Sequence, residues 1–330
     1  MTQHNIVDLV VIGGGTTGLF ATYYATMRGM SVKLIESQPQ LGGKVMQFFP
    51  EKRIYDVGGY PEITGEELVE QMTKQAERHQ PEIRLNQWVE NIYKVDDSYF
   101  ELVTASGEKH YAKTILLATG NGTFYGKEPD GWKERVRNKE IAKFTIMNAE
   151  QYVNKRVIIS SDMKTGVEWG LFLENKAKEI IMVNPDRRFN YTNKADIEKI
   201  ENSSVKIYYN AKIKDLQVND NQLSSVTLEL PEGKKLNIEV DELLMYHGVE
   251  LKATPFNQWG VELQKGRILV EGDMATNIPG VFAAGDIVSY DGKTGLIASG
   301  YSEAITAVNK AHKWIDPKAV EQQYSTVIYR

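Results

Sequence analysis

The feature that most constrains this chain is a pattern met twice: a short apolar strand, a tight turn, an apolar helix and a second strand. Val7 to Ile12 is apolar apart from Asp8 and runs into Gly13-Gly14-Gly15-Thr16-Thr17-Gly18. An apolar segment from Leu19 to Met27 ends at Gly29, and Ser31 to Ile35 leads to Glu36. Strands this short and this apolar are covered on both faces, the condition of a parallel sheet. Arg156 to Ser160, Gly166 to Ala177 and Glu179 to Val183 repeat the order in mid-chain. Two such starts predict an α/β fold with two Rossmann-like dinucleotide-binding domains, each of three ββα layers.

Between Ile197 and Leu244 the pattern changes. Short alternating runs (Val205 to Tyr209, Leu223 to Leu230, Leu236 to Val240), separated by Asn, Asp and Gly, read as hairpins. The first style then returns with Gly280 to Asp286, and a helix is expected from Ser302 to Trp314, stopped by Asp316-Pro317. The boundaries that follow are a discontinuous first domain, residues 1–121 and 247–330, with residues 122–246 inserted through short ordered crossings. A length of 330 residues suits two domains of roughly 150 each.

Composition narrows the chemistry by exclusion. There is no cysteine, so disulfide scaffolds, thiol catalysis, cysteine-ligated clusters and CxxC dithiol reduction are all ruled out. Five histidines without HExxH-like spacing offer no metal site. A net charge of −5 argues against a nucleic-acid partner. No apolar run approaches the ~18 residues that span a bilayer, and the first residues lack the charged-then-apolar order of a signal peptide. The expected location is the cytoplasm, without a membrane partner.

Gly13-x-Gly15-x-x-Gly18 lies after a strand and before a helix, where a dinucleotide fingerprint belongs. Its glycines permit the tight turn, the approach of a diphosphate to the backbone and close helix–strand packing, while the helix N-terminus attracts the negative charge. Glu36, about 20 residues on, is placed to accept from ribose hydroxyls. Farther along, a strand ends in Ala118-Thr119-Gly120, and Asp286 follows a strand and Gly285.

With these motifs together, the chain resembles the two-dinucleotide-binding flavoproteins of thioredoxin-reductase-like architecture. Leu41-Gly42-Gly43-Lys44, Phe49 to Pro61, Gly120 to Phe124, Leu296 to Gly300 and Ala307-Val308-Asn309 narrow the resemblance to the ferredoxin (flavodoxin)–NADP reductases of that type. The likeness runs nearly end to end, and the absence of a CxxC separates it from thioredoxin reductases. It implies bound FAD, with Gly13, Gly15, Thr17 and Gly18 at the diphosphate, Glu36 at the adenosine ribose and Asp286 at the ribityl chain. Lys44 stands where the family usually has glutamine. Val89, Gly120 and Phe124 would line the cofactor, Phe49 would stack on one flavin face, and Tyr324, with Ser325 and Thr326, would cover the other. Such stacking shields a flavin and tunes it. The resemblance further implies a homodimer exchanging electrons between NADPH and ferredoxin or flavodoxin, with no catalytic side chain required.

The middle turn departs from that family's GxGxxA. It reads Ser161-Asp162-Met163-Lys164-Thr165-Gly166, with side chains where a diphosphate must approach and a carboxylate near its charge. The family's His-Arg-Arg is replaced by Asn184-Pro185-Asp186, and Arg187 and Arg188 follow two positions late. Two readings stay open: a divergent site that binds NADPH through Lys164, Arg187 and Arg188, or a lost site in a flavoprotein reduced by another donor such as ferredoxin. A non-catalytic flavin-binding protein is a third reading of the chain. The basic stretch Lys133 to Lys139 reads as solvated surface or as a docking site for an acidic carrier.

Overall fold

The computed structural model describes residues 5–48, 50–96, 98–127, 141–144, 146, 149–220 and 222–329. The chain divides into two compact units, Met1–Thr123 with Lys252–Arg330, and Phe124–Leu251. The chain passes between them along strands Thr123–Gly126 and Val249–Lys252.

In the first unit β1 (Ile6–Ile12) lies mid-sheet. Strand β2 (Val32–Ile35) pairs parallel on one side, Leu9 facing Val32 and Ile12 facing Ile35. Lys109–Leu117 pairs parallel on the other, with Val11 opposite Leu116. On its far edge this long strand serves two further partners in succession. Its first half continues an antiparallel meander with Phe100–Thr104 and Val89–Lys94, and its second half pairs parallel with Val281–Ala283, Phe282 opposite Leu116. The turns after β1 and after Val281–Ala283 therefore leave the same end of the sheet on either side of one strand. Two parts of the chain about 270 residues apart in sequence meet there.

Helix α1 (Thr16–Met27) covers the sheet and packs against the late helix Ile297–Ile315. The late helix buries Gly300, Ala304, Ala307 and Ala311, a stripe of small residues at helical spacing that permits close approach. It begins five residues before the expected Ser302, because Ser299 and Gly300 carry no strong helix signal in the sequence.

The second unit has a five-stranded parallel sheet in the order Ala142–Lys143, Glu242–Tyr246, β3 (Arg156–Ser161), β4 (Glu179–Asn184) and Lys206–Tyr209. Helix α2 (Lys164–Leu173) joins β3 to β4. It stops four residues short of the expected Ala177, where the amides of Lys176 and Ala177 turn back to the Leu173 carbonyl. Lys212–Asn219, Gln222–Glu229 and Lys235–Glu239 form an antiparallel three-stranded sheet. The run at Val205 to Tyr209, read above as part of a hairpin, instead joins the parallel sheet beside β4. Alternation in so short a segment does not distinguish the two kinds of edge. Among the described residues no helix is long and apolar enough to cross a membrane.

One buried group makes the first unit sensitive to acid. His110 is 2% exposed, with Lys33 Nζ 3.2 Å from Nδ1 and Gln87 Oε1 2.6 Å from Nε2. Burial, and then the Lys33 charge, hold its pKa below the ordinary 6.5. The unfolded chain therefore takes up the proton more readily, and stability falls as pH drops through 6.5 until the folded-state pKa is passed. We expect denaturant unfolding to show less stability at pH 5 than at pH 7.5, and His110→Gln to remove part of that difference. An equal pH dependence in both proteins would sink the assignment.

Candidate functional site

The fingerprint turn is built by contacts that admit no side chain. A Cβ on Gly18 would lie 1.8 Å from the Gly13 carbonyl oxygen, and one on Gly13, at φ +107°, would lie 2.4 Å from the Ala118 oxygen. Helix α1 thus begins pressed against the end of β1. Gly15 caps α1 without a side-chain hydrogen bond, and among the described residues its own Cβ position meets nothing nearer than Gly43 Cα at 3.9 Å. The orphan amides of the first helical turn and the adjoining open space form an anion cradle.

Glu36 borders the cradle at the end of β2. Its Oε2 accepts from the Gly14 amide at 2.6 Å, and its Oε1 accepts from the Gln38 amide at 2.7 Å and the Ser37 hydroxyl at 3.0 Å. A carboxylate has about four acceptor positions, so one remains for a ribose hydroxyl. Asn86 and Gln87 donate their amides to the Gln38 and Glu36 carbonyls, which brings the buried Val89 segment alongside. The Leu41 to Lys44 turn lies against the fingerprint, Gly42 donating to the Gly14 carbonyl. Two buried oxygens flanking these turns, Gln40 Oε1 and Thr119 Oγ1, have no hydrogen-bond partner among the described residues. A glycine cradle open at Gly15, bordered by an acid and by two buried polar atoms without a partner among the described residues, fits an adenine dinucleotide such as FAD.

The late turn completes this site. Lys44 Nζ lies 3.1 Å from Asp286 Oδ2, both side chains partly exposed. The side chain of Thr17, expected at the diphosphate, is turned toward the late turn and the late helix. A Cβ on Gly285 or Gly300 would come within 2.9 or 2.3 Å of Thr17 Oγ1. The Gly285 amide donates to Glu303 Oε2 at 2.7 Å, while Tyr290 and Lys293 donate to Glu303 Oε1. Burial and then Glu303 push the Tyr290 hydroxyl up to about 12. Sequence reading passed over Glu303. Its only signal is an acid within the small-residue stripe of the late helix.

The other expected residues are placed as follows. Gly120 is in the left-handed region just after the Lys109–Leu117 strand, and Phe124 belongs to the second unit. Phe49 and the Lys133 to Lys139 stretch lie outside the described residues. Tyr324, Ser325 and Thr326 are exposed, and the Tyr324 side chain makes no hydrogen bond or ring contact with the cradle among the described residues. The tail is anchored elsewhere in the first unit. Arg28, 5% exposed, donates to the Val320 and Glu321 carbonyls and to Asn309, while Tyr329 stacks on His79 with ring centroids 5.6 Å apart.

The second unit's turn has the same position and different chemistry. Gly166 keeps its close approach, a Cβ there falling 2.3 Å from Ser161 Cβ. The Met163 amide donates to Ser161 Oγ at 3.1 Å, and the Lys164 amide, the first of α2, donates to the Asn190 carbonyl at 3.1 Å. Donors that a diphosphate would use are thus engaged by the protein. Asp162 does not point its carboxylate into open space. Its Oδ2 accepts from Asn190 Nδ2 at 3.0 Å, and its Oδ1 lies 3.3 Å from His247 Nδ1. His247 Nε2 is 3.0 Å from Ser160 Oγ. Burial lowers the His247 pKa, and Asp162 offsets part of that fall. Arg187 and Arg188 are exposed, and Asn184 Nδ2, fully buried, has no partner among the described residues. Arg187 and Arg188 stand as exposed donors beyond β4, but the turn does not fit a diphosphate in the fingerprint manner.

Residues 7–312 match the pyridine nucleotide-disulphide oxidoreductase family. Ferredoxin–NADP reductase 1 of Bacillus velezensis is 38% identical over 326 residues, 98% of this chain and 97% of that protein. Ferredoxin–NADP reductase 2 of Shouchella clausii is 39% identical over 318 residues, 96% of each chain. Among solved structures, the thioredoxin reductase of T. acidophilum has a TM-score of 0.58 at 22% identity, covering 94% of this chain and 99% of that one. The Lactococcus lactis thioredoxin reductase gives 0.57 at 21%, with the same coverage. At that identity the structural likeness speaks for the fold, while the full-length relatives and the family match speak for descent. The chain belongs to the pyridine nucleotide-disulphide oxidoreductase family, alongside relatives named ferredoxin–NADP reductase.

Proposed function

We propose that this protein is an FAD-dependent oxidoreductase of the ferredoxin–NADP reductase type, acting in the cytoplasm as a homodimer with ferredoxin or flavodoxin as its carrier partner. The observation that carries the reading is the convergence, at one end of one sheet, of the glycine cradle at Gly13, Gly15 and Gly18 with Asp286 and Lys44. Full-length relatives with that activity in their names support it. FAD, when bound, allows two-electron and one-electron partners to be coupled. The chain's residues hold and tune it: the α1 amides take the diphosphate, Glu36 a ribose hydroxyl, and Asp286 the ribityl chain. Lys44 leaves a positive charge beside that acid where a neutral amide is usual in the family. No side chain needs to form a bond to substrate.

Gly15→Val tests the cradle. Its φ of −72° suits any residue and its surroundings are open, so the fold is retained while the side chain fills the ligand's space. We expect the wild-type protein to purify with FAD and the variant to bind it at least about tenfold more weakly, a loss of ~1.4 kcal/mol or more. Equal flavin content and affinity would exclude this cradle as the site.

A second reading concerns the donor. The engaged amides of Met163 and Lys164, and the side chains at Ser161 and Met163, favour a flavin reduced by a protein carrier over one reduced by NADPH. Anaerobic titration with NADPH and then NADH, following visible absorbance, decides it. We expect slow or absent bleaching with both nucleotides and full bleaching with reduced ferredoxin. Rapid bleaching at micromolar NADPH would restore the divergent but working nucleotide site.

The exposed tail is assigned to cover the flavin in the dimer. Tyr324→Ala should then raise the accessibility of the flavin to an external quencher without changing FAD content. Identical quenching in variant and wild type would remove Tyr324 from the site.

A further inference from the structure

Glu303 sits in the interior of the first unit at 3% exposure, outside every motif by which the sequence marks the cofactor site. Its carboxylate takes three donors: the Gly285 amide at 2.7 Å, the Tyr290 hydroxyl at 2.7 Å and the Lys293 ammonium at 2.6 Å. The Lys293 side chain is itself only 8% exposed. Removing two charges from water is costly, and apolar residues of similar volume commonly fill such a space with equal or greater stability. Stability alone therefore does not explain the pair.

Geometry does. Glu303 holds a single backbone donor, the amide of Gly285, at a residue with φ +90°. The next residue is Asp286, whose carboxylate is 44% exposed and meets Lys44 at 3.1 Å. From the interior outward the charges alternate: Lys293 positive, Glu303 negative, the Gly285 N–H dipole, Asp286 negative, Lys44 positive. A charge-assisted bond to one amide restrains the turn more firmly than a neutral one. Tyr290 and Lys293 tie the carboxylate in turn to the loop ahead of the late helix, so the turn, the loop and the helix are fixed together.

We propose that Glu303 is a positioning residue: held by Lys293 and Tyr290, it fixes the Gly285 amide and so aims the Asp286 carboxylate at the ribityl chain of FAD. This rests on the flavoprotein reading above, and the first measurement separates the two. Wild-type protein that binds no FAD would overturn both.

With FAD binding by the wild type established, the test is Glu303→Gln. The amide can still accept from Gly285 but cannot also accept from Lys293 and Tyr290 through its nitrogen. We expect the FAD dissociation constant, read by flavin fluorescence, to rise about tenfold, and Tyr290→Phe to raise it about threefold. Because Glu303 acts through Asp286, its effect should shrink to within about twofold in an Asp286→Asn background. A buried pair with a merely structural role would lower thermal stability and leave that coupling absent. Unchanged FAD affinity in Glu303→Gln, or a loss undiminished in the Asp286→Asn background, would overturn the proposal. Should Glu303→Gln fail to fold, Tyr290→Phe is judged by the same two criteria.

Discussion

The cofactor site depends on a contact in which no side chain takes part. Gly18 meets the carbonyl of Gly13 so closely that a single methyl group would collide with it. That approach sets where α1 starts, and hence where its first-turn amides point. The same helix then offers Thr17 to the late turn and the late helix through Gly285 and Gly300, so the placement of Asp286 follows from the packing of α1. Fingerprint and acid are two ends of one packed assembly.

Electrostatics completes what packing begins. The cradle collects positive partial charge from helix amides, and the groups around it are paired: Lys44 with Asp286, Lys293 with Glu303, Glu36 with the Gly14 amide. Charges at an enclosed site are tolerable only with such partners. Lys44 with Asp286 is partly solvated, and Lys293 with Glu303 is shut away. A gradient of this kind suits a site whose outer groups meet a ligand while its inner ones keep them in register.

The two units apply one plan to different ends. At corresponding positions stand Gly13 and Ser161, Gly15 and Met163, Gly18 and Gly166. Retaining only the last glycine preserves helix–strand packing and leaves side chains at the two positions where the first turn has none. The vacated polar capacity is used internally, Ser161 by the Met163 amide and Asp162 by Asn190 and His247. An acid that reads in the sequence as repulsion toward a phosphate is in the fold a bridge between β3, the strand ending at Tyr246 and the segment after β4.

Local sequence prescribes the parallel α/β core, the two βαβ starts, the tight glycine turn and the placing of Glu36 beside it. Each depends on residues close together in the chain, where periodicity and steric demand can be read directly. Resemblance alone carried Asp286 and Lys44 to the site, since nothing local links positions 242 apart. Only the tertiary structure decided that Val205 to Tyr209 joins a parallel sheet, that Asp162 faces His247, and that Glu303 holds the turn at Gly285. The physical reason is common to all three. Which strand a short segment pairs with, and which donor a buried carboxylate finds, are settled by neighbours that only packing supplies.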